Sequence, residues 1–182
     1  MAKKNWWEYS VQDILHKRRE IYLFEPINNK ISQDIIIEMQ SMAEVNPKKP
    51  IWFYLNSVGG YVPAGLAIID VMEKISLQTP IYTVAVGEVC SMASLIFVCG
   101  TKRFISENSY FMGHPMSFGT QDYSSFVRDR VNYCAELEER LINIYKERTK
   151  LTKKDLEKIK TGELWLNAKQ CIKKGIADEI WR

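Results

Sequence analysis

Two histidines in 182 residues leave this chain little material for imidazole chemistry. Any reaction that needs a histidine base must use His16 or His114. Cysteine is scarce too: Cys90, Cys99, Cys134 and Cys171 lie far apart, with no CxxC pair and no companion histidines. That spacing supports neither a zinc site nor a redox motif, and the four read as buried thiols in a reducing compartment. Long apolar runs are also missing. The longest, Leu95 to Cys99, falls far short of the ~20 residues that span a bilayer, and MAKKNWWEYS has no continuous apolar h-region. A soluble, cytoplasmic protein without membrane association is expected. Charge of one sign is lacking as well, since the net charge of +3 comes from interspersed acids and bases. The densest basic cluster, HKRRE at 16–20, is too short for a nucleic-acid footprint and reads as a solvated helix face.

What is present is apolar and patterned. With 46% hydrophobic residues and no internal repeat or long linker, the chain suits one domain over 1–182 with a sizeable core. Helix starts are announced by Ser10 with Asp13, Thr152 with Asp155 and Asn167 with Gln170, each a capping oxygen three residues before an acid or amide. YLFEPI, IWFYLN, IYTVAV, RFISE and NSYFM read as short strands, whereas SQDIIIEMQSMAEV and PAGLAIIDVMEKI carry apolar residues at helical spacing. A long helix is expected around Tyr123 to Thr149, with Val127, Val131, Cys134, Leu137, Leu141 and Tyr145 on one stripe, and two short capped helices finish the chain. Strands alternating with helices predict an α/β fold built on parallel βα repeats.

Ser91 stands out because it ends the strand read from IYTVAV and opens a helix, with Ala93 and Ser94 leaving room around it. A strand-to-helix turn displays a hydroxyl, and the amides at the helix start suit an oxyanion. A simple N-cap fits the same local features. Of the two histidines, His16 sits among Lys17, Arg18 and Arg19 as a surface residue. His114 follows a hydrophobic strand and precedes Pro115, where side chains are displayed for chemistry. A second glycine site, NSVGGYVPAG, joins a strand to a helix, and Gly59 and Gly60 permit positive φ as either an anion-binding turn or a plain tight turn.

Taken together and in this order, NSVGGYVPAGLAIIDVM, GEVCSMASLIFVCGTKRF and NSYFMGHP resemble the ClpP family of ATP-dependent caseinolytic serine peptidases. The likeness runs from about Tyr9 to the closing GIADEIW. It implies a crotonase-like core of repeated ββα units with a protruding handle helix at about 122–149, and two stacked heptameric rings enclosing a chamber. By position, Ser91 is similar to the nucleophile, His114 to the general base, and the amides of Gly60 and Met92 to the oxyanion hole. No metal or organic cofactor is expected in this subunit, because ATP is used only by a partner AAA+ unfoldase. Unfolded proteins are the implied substrates.

The third triad member departs from the pattern. The family has an aspartate where TGELWLNAKQC carries Glu163, one methylene longer. Ser-His-Glu arrangements occur on other hydrolase folds, so Glu163 can orient a histidine. Asp155 is a rival already explained by its capping box, and an absent third residue is the remaining alternative. The family's axial hairpin is matched by only eight residues before Tyr9, so a shortened axial loop is expected within 1–20. Trp52, Tyr54 and Phe104 match aromatic positions that dock the unfoldase, but Lys74 replaces a usual phenylalanine. Glu88 replaces a glutamine near Ser91, and Pro115 directly follows His114 where glutamine is usual. Retained Ser91 and His114 favour an active endopeptidase over a scaffold subunit of a mixed ring, and a phage-type capsid-processing peptidase is a further alternative. A crotonase acting on acyl-CoA or a serine–lysine signal-peptide peptidase fits these residues less well.

Overall fold

The computed structural model describes residues 10–119 and 121–182. The segment of the expected axial loop, with Tyr9, lies outside them apart from 10–20. Eight-residue α1 (Val11–Arg18) leads into β1 (Glu20–Leu23), α2 (Asn29–Val45), β2 (Ile51–Ser57), α3 (Val62–Ser76) and β3 (Ile81–Cys90). Then follow α4 (Met92–Val98), β4 (Lys102–Ser106), β5 (Tyr110–Gly113) and α5 (Ser124–Arg148). α6 (Lys153–Thr161), β6 (Leu164–Asn167), α7 (Ala168–Lys173) and β7 (Glu179–Trp181) complete the fold.

The mixed α/β class follows from the alternation seen in the sequence. β1, β2, β3, β4 and β7 pair in that order, all parallel, while β5 pairs in parallel with β3 and carries β6 antiparallel on its other edge. Strand periodicity sorts the side chains. Ile21, Leu23, Phe53, Leu55 and Ala85 are fully or almost fully buried in one cluster with Met39 and Met42 of α2 and Ile68 and Met72 of α3. Burying each large apolar side chain contributes roughly 1.5–3 kcal/mol, which makes this face the main reason the layers stay together.

β3 serves two neighbours in turn. Its first half, Tyr82 to Ala85, pairs with β4, and its last residues, Glu88 to Cys90, pair with β5. The ladder to β2 slips between Leu55 and Ser57, and the irregularity is pinned by side chains. Asn56 Oδ1 accepts the Glu88 N–H at 3.1 Å, and Ser109 Oγ accepts the Gly87 N–H at 2.9 Å. As a result the carboxyl ends of β2, β3 and β5 converge, the position where parallel sheets present their sites.

All three capping boxes form, at Ser10, Thr152 and Asn167. Other elements depart from the sequence reading. β6 and β7 are strands that the reading did not separate from the closing helices. HKRRE is not wholly a solvated face: Arg19 is 8% exposed, has φ +62°, and donates from Nε to Pro50 O at 3.1 Å and from Nη2 to Lys49 O at 2.9 Å. Its guanidinium also donates to Met42 O, so it ties α1 to the end of α2. Cys90, Cys99 and Cys171 are buried, but Cys134 on α5 is only half-buried.

Candidate active site

One cavity gathers residues from five parts of the chain: Gly60, Ser91, Met92 and His114, with apolar side chains from α4 and α5. Ser91 arrives at the end of β3 with φ +53° and ψ −128°, one of two non-glycine residues with positive φ among those described. Such a conformation costs on the order of 1–3 kcal/mol and persists only when neighbours hold it. The Ser91 N–H donates to Met112 O at 2.8 Å, and the Ser91 carbonyl accepts from Ser94 N–H at 3.0 Å and Ser94 Oγ at 2.6 Å. Its own hydroxyl makes no capping hydrogen bond to α4. That separates Ser91 from an ordinary N-cap, whose side chain accepts from the first turn.

The glycine turn closes on this residue. Gly59 has φ +95°, and a β-carbon there would stand 2.8 Å from Cys90 O and 2.9 Å from Met92 N. Gly60, with φ +149°, bridges Ile27, while Ile27 N–H donates to Gly59 O at 2.8 Å and Tyr61 N–H to Ile27 O at 2.9 Å. Only a residue without a side chain lets the backbone run this close to Ser91.

His114 leaves the end of β5 and is half-buried in the cavity beside Pro115 and Met116. Among the described residues no hydrogen bond joins it to Ser91 or Glu163. The β5–β6 ladder ends with Gly113 opposite Leu164, so the next positions along the same register are His114 and Glu163. The Glu163 side chain is exposed, however, and its Oε2 accepts from Trp165 Nε1 at 2.8 Å. Asp155 is committed elsewhere, to Thr152 and to Lys174 Nζ at 2.7 Å. Burial pushes its carboxyl up, but the hydrogen bonds from Lys174 and Thr152 outweigh that and hold it below the usual range. Cys90, next to Ser91, is a protonated thiol: burial pushes it up to about 12, with the charges of Glu88 and Glu163 adding to the effect. Glu88 lines a different cleft, with Asn56, Tyr110 and Trp165.

Trp52, Tyr54 and Phe104 lie on the sheet face away from the buried cluster. Trp52 and Phe104 are 5.5 Å apart between ring centroids. The register adds aromatics that the sequence reading did not single out: Tyr82 against Trp52 at 5.2 Å, Tyr22 stacked on Tyr54 at 4.8 Å, and Trp181 against Tyr54 at 5.8 Å. Alternation along β1 and β2 was the available signal, because every second residue faces this side. Lys74 is exposed on α3. The sequence reading did not foresee that Glu138 and Tyr145 of α5 line this cavity, or that Ser94 of α4 hydrogen-bonds the Tyr145 hydroxyl.

Among the described residues no group of three His, Cys, Asp or Glu is arranged to hold a metal, and no helix is long and apolar enough to cross a membrane. A family model described as Clp protease matches residues 3–182, nearly the whole chain, and the chain therefore belongs to the Clp protease family, one of oligomeric serine peptidases.

Proposed function

We propose that this chain is the serine endopeptidase subunit of a self-compartmentalised Clp-type protease, cutting unfolded polypeptides to short peptides through an acyl-enzyme. The observation that carries the reading is Ser91 itself, strained to positive φ, free of any capping bond, and lining one cavity with His114. His114 takes the Ser91 proton as Oγ attacks the peptide carbonyl, and the amides of Gly60 and Met92 stabilise the oxyanion. His114 then protonates the departing amine. Water, activated by the same imidazole, releases the acyl group and restores Ser91. Glu163 orients His114 and supports its imidazolium once its carboxylate turns from Trp165, and the ladder register favours it over Asp155.

The substrate side chain next to the cut enters between Leu95, Leu141, Ile142 and Met116, an apolar lining that favours apolar residues. Glu138 sits at the same lining and disfavours acids. No metal or organic cofactor enters these steps, and ATP is used only by a partner unfoldase. The exposed length of α5, with Phe126, Val131 and Tyr133, suits the handle that packs two heptameric rings together. The aromatic face of Trp52, Tyr54 and Phe104 suits docking of an AAA+ partner. A cytoplasmic protein acting on unfolded chains, apart from nucleic acid or membrane, completes the reading.

A second reading is an inactive scaffold subunit of a mixed ring, favoured by the Glu163–Trp165 hydrogen bond, which engages the third residue away from His114. Labelling with a fluorophosphonate serine probe, beside Ser91→Ala and with native mass recorded, separates the two. The peptidase reading requires labelling that Ser91→Ala abolishes. An assembled but unlabelled ring would make the scaffold the correct reading.

A further inference from the structure

The strained backbone of Ser91 has to be held, and the hydrogen bonds around it lead to a residue on the long helix. Ser94 Oγ carries a single proton and donates it to the Ser91 carbonyl at 2.6 Å. In its other contact, at 2.6 Å with the Tyr145 hydroxyl, Ser94 must therefore accept, and the phenol must donate. Tyr145 is 3% exposed, and burial pushes its hydroxyl well above the ordinary tyrosine range, so the proton that this direction requires stays in place.

The same side chain reaches the strand that carries His114. Its ring meets Phe111 of β5 edge to face at 5.9 Å, and a β-carbon on Gly113 would come within 3.5 Å of the Tyr145 oxygen. β5 also supplies the Met112 carbonyl that accepts the Ser91 N–H. Tyr145 thus touches the segment after the serine and the segment before the histidine, from a third element.

We propose that Tyr145 is a positioning residue for the peptidase reaction: the relay from Tyr145 hydroxyl to Ser94 hydroxyl to Ser91 carbonyl fixes the nucleophile's backbone and so aims Ser91 Oγ at His114. The proposal rests on Ser91 being the nucleophile. It adds a positioning role to a helix whose Leu141 and Ile142 already line the proposed subsite. Consecutive hydroxyl bonds of one polarity also strengthen one another in a buried setting, which favours a shared function over three separate contacts.

Tyr145→Phe keeps the ring against Phe111 and removes only the proton that starts the relay. Ser94→Ala removes its middle. Each is expected to lower kcat, and the rate of fluorophosphonate labelling, about tenfold, the size of one net buried hydrogen bond, with KM changed less than about twofold. Because both break one relay, the double variant is expected to be no more than about twofold worse than the weaker single variant. Parental kcat in Tyr145→Phe, or two losses that multiply to about a hundredfold, would overturn the relay. A pure packing role would shift Tm and leave kcat alone. Crystal structures of both variants separate this proposal from the peptidase reading itself. Should the assembled parent fail to label, the peptidase reading fails, and the backbone at Ser91 still decides the relay. Departure from φ near +53° in both variants supports it, and retention in both overturns it.

Discussion

Gly59 and Ser91 approach so closely that a β-carbon on the glycine would lie 2.7 Å from the serine Cβ. The neighbours it would also strike, Cys90 O and Met92 N, are backbone atoms that cannot rotate away. Gly59→Ala therefore must either open the turn or displace Ser91, and φ +95° already disfavours any side chain there. We expect the variant to lose at least about a hundredfold in labelling rate, since a displacement of ~1 Å at a nucleophile costs that much. Circular dichroism and probe labelling on the same sample check it: a folded variant labelling at the parental rate would show that the close approach does not support the site.

How far the sequence discloses this depends on whether a feature is local. The strand-end positions of Ser91 and His114 are legible because each follows a β-forming run, and the capping boxes because partner and cap stand three residues apart. β6 and β7 are four and three residues long, too short for alternation to register, and exist through pairing with β5 and β4. Arg19 looks solvated in HKRRE because the carbonyls that bury it come from the distant end of α2 and the loop beyond. Tyr145 reads as one more apolar position on a stripe, since its partner Ser94 is 51 residues away. The bond from Trp165 to Glu163 is close in sequence, but a two-residue spacing acquires meaning only once β6 fixes Trp165 on the side where Glu163, the residue before the strand, can reach it.

Assembly should depend on the part of α5 that the chain leaves uncovered. Val131 is 46% exposed and stands outside the core cluster, so replacing it with aspartate removes little core packing. If this stretch packs ring against ring, a charge at Val131 is buried without a partner on assembly and opposes it. Native mass spectrometry of Val131→Asp is expected to show half the parental mass with unchanged far-UV circular dichroism. An unchanged mass would remove this face of α5 from the interface.

Glu138 makes a prediction about substrates. If the cavity holds the side chain beside the cut, the Glu138 carboxylate in its lining repels an acidic one by on the order of 1 kcal/mol at a partly hydrated position. Fluorogenic peptides ending in Leu or Glu should thus differ more with the parent than with Glu138→Gln. We expect the Leu-to-Glu ratio of kcat/KM to fall about fivefold in the variant. A constant ratio would mean that the carboxylate lies outside the subsite.

Asp155 supplies a pH dependence of stability. Its carboxyl is held below its ordinary range in the folded protein, so folding favours the ionised form. The contribution is full above the unfolded value near ~4 and is lost as the pH falls through the folded value. Asp155→Asn is expected to lose roughly 0.5–1 kcal/mol at pH 7, given a partly screened ion pair with Lys174. Chemical denaturation from pH 7 downward checks it, and the gap to the parent should begin to narrow near about pH 4 and close only below the folded value. A gap independent of pH would assign the loss to capping geometry and not to charge.

In the proposed mechanism Trp165 and His114 would compete for one carboxylate, and only the bond from Trp165 is formed in this structure. Glu163 Oε2 now accepts from the Trp165 indole at 2.8 Å, yet the register carried one step past its last pair, Gly113 with Leu164, would set Glu163 across from His114. Trp165→Phe keeps an aromatic ring on the strand but removes the indole donor, leaving the carboxylate free to turn. A single exposed hydrogen bond to a charged acceptor is worth about 1 kcal/mol net, so the variant should label Ser91 up to about fivefold faster. Glu163→Gln retains an acceptor but loses the charge that supports the imidazolium, and should label at least about a hundredfold more slowly. Opposite responses of the two variants, read as labelling rates across pH 6 to 9, identify Glu163 as the residue that orients His114. Equal rates in parent, Trp165→Phe and Glu163→Gln would mean that Ser91 and His114 work without it.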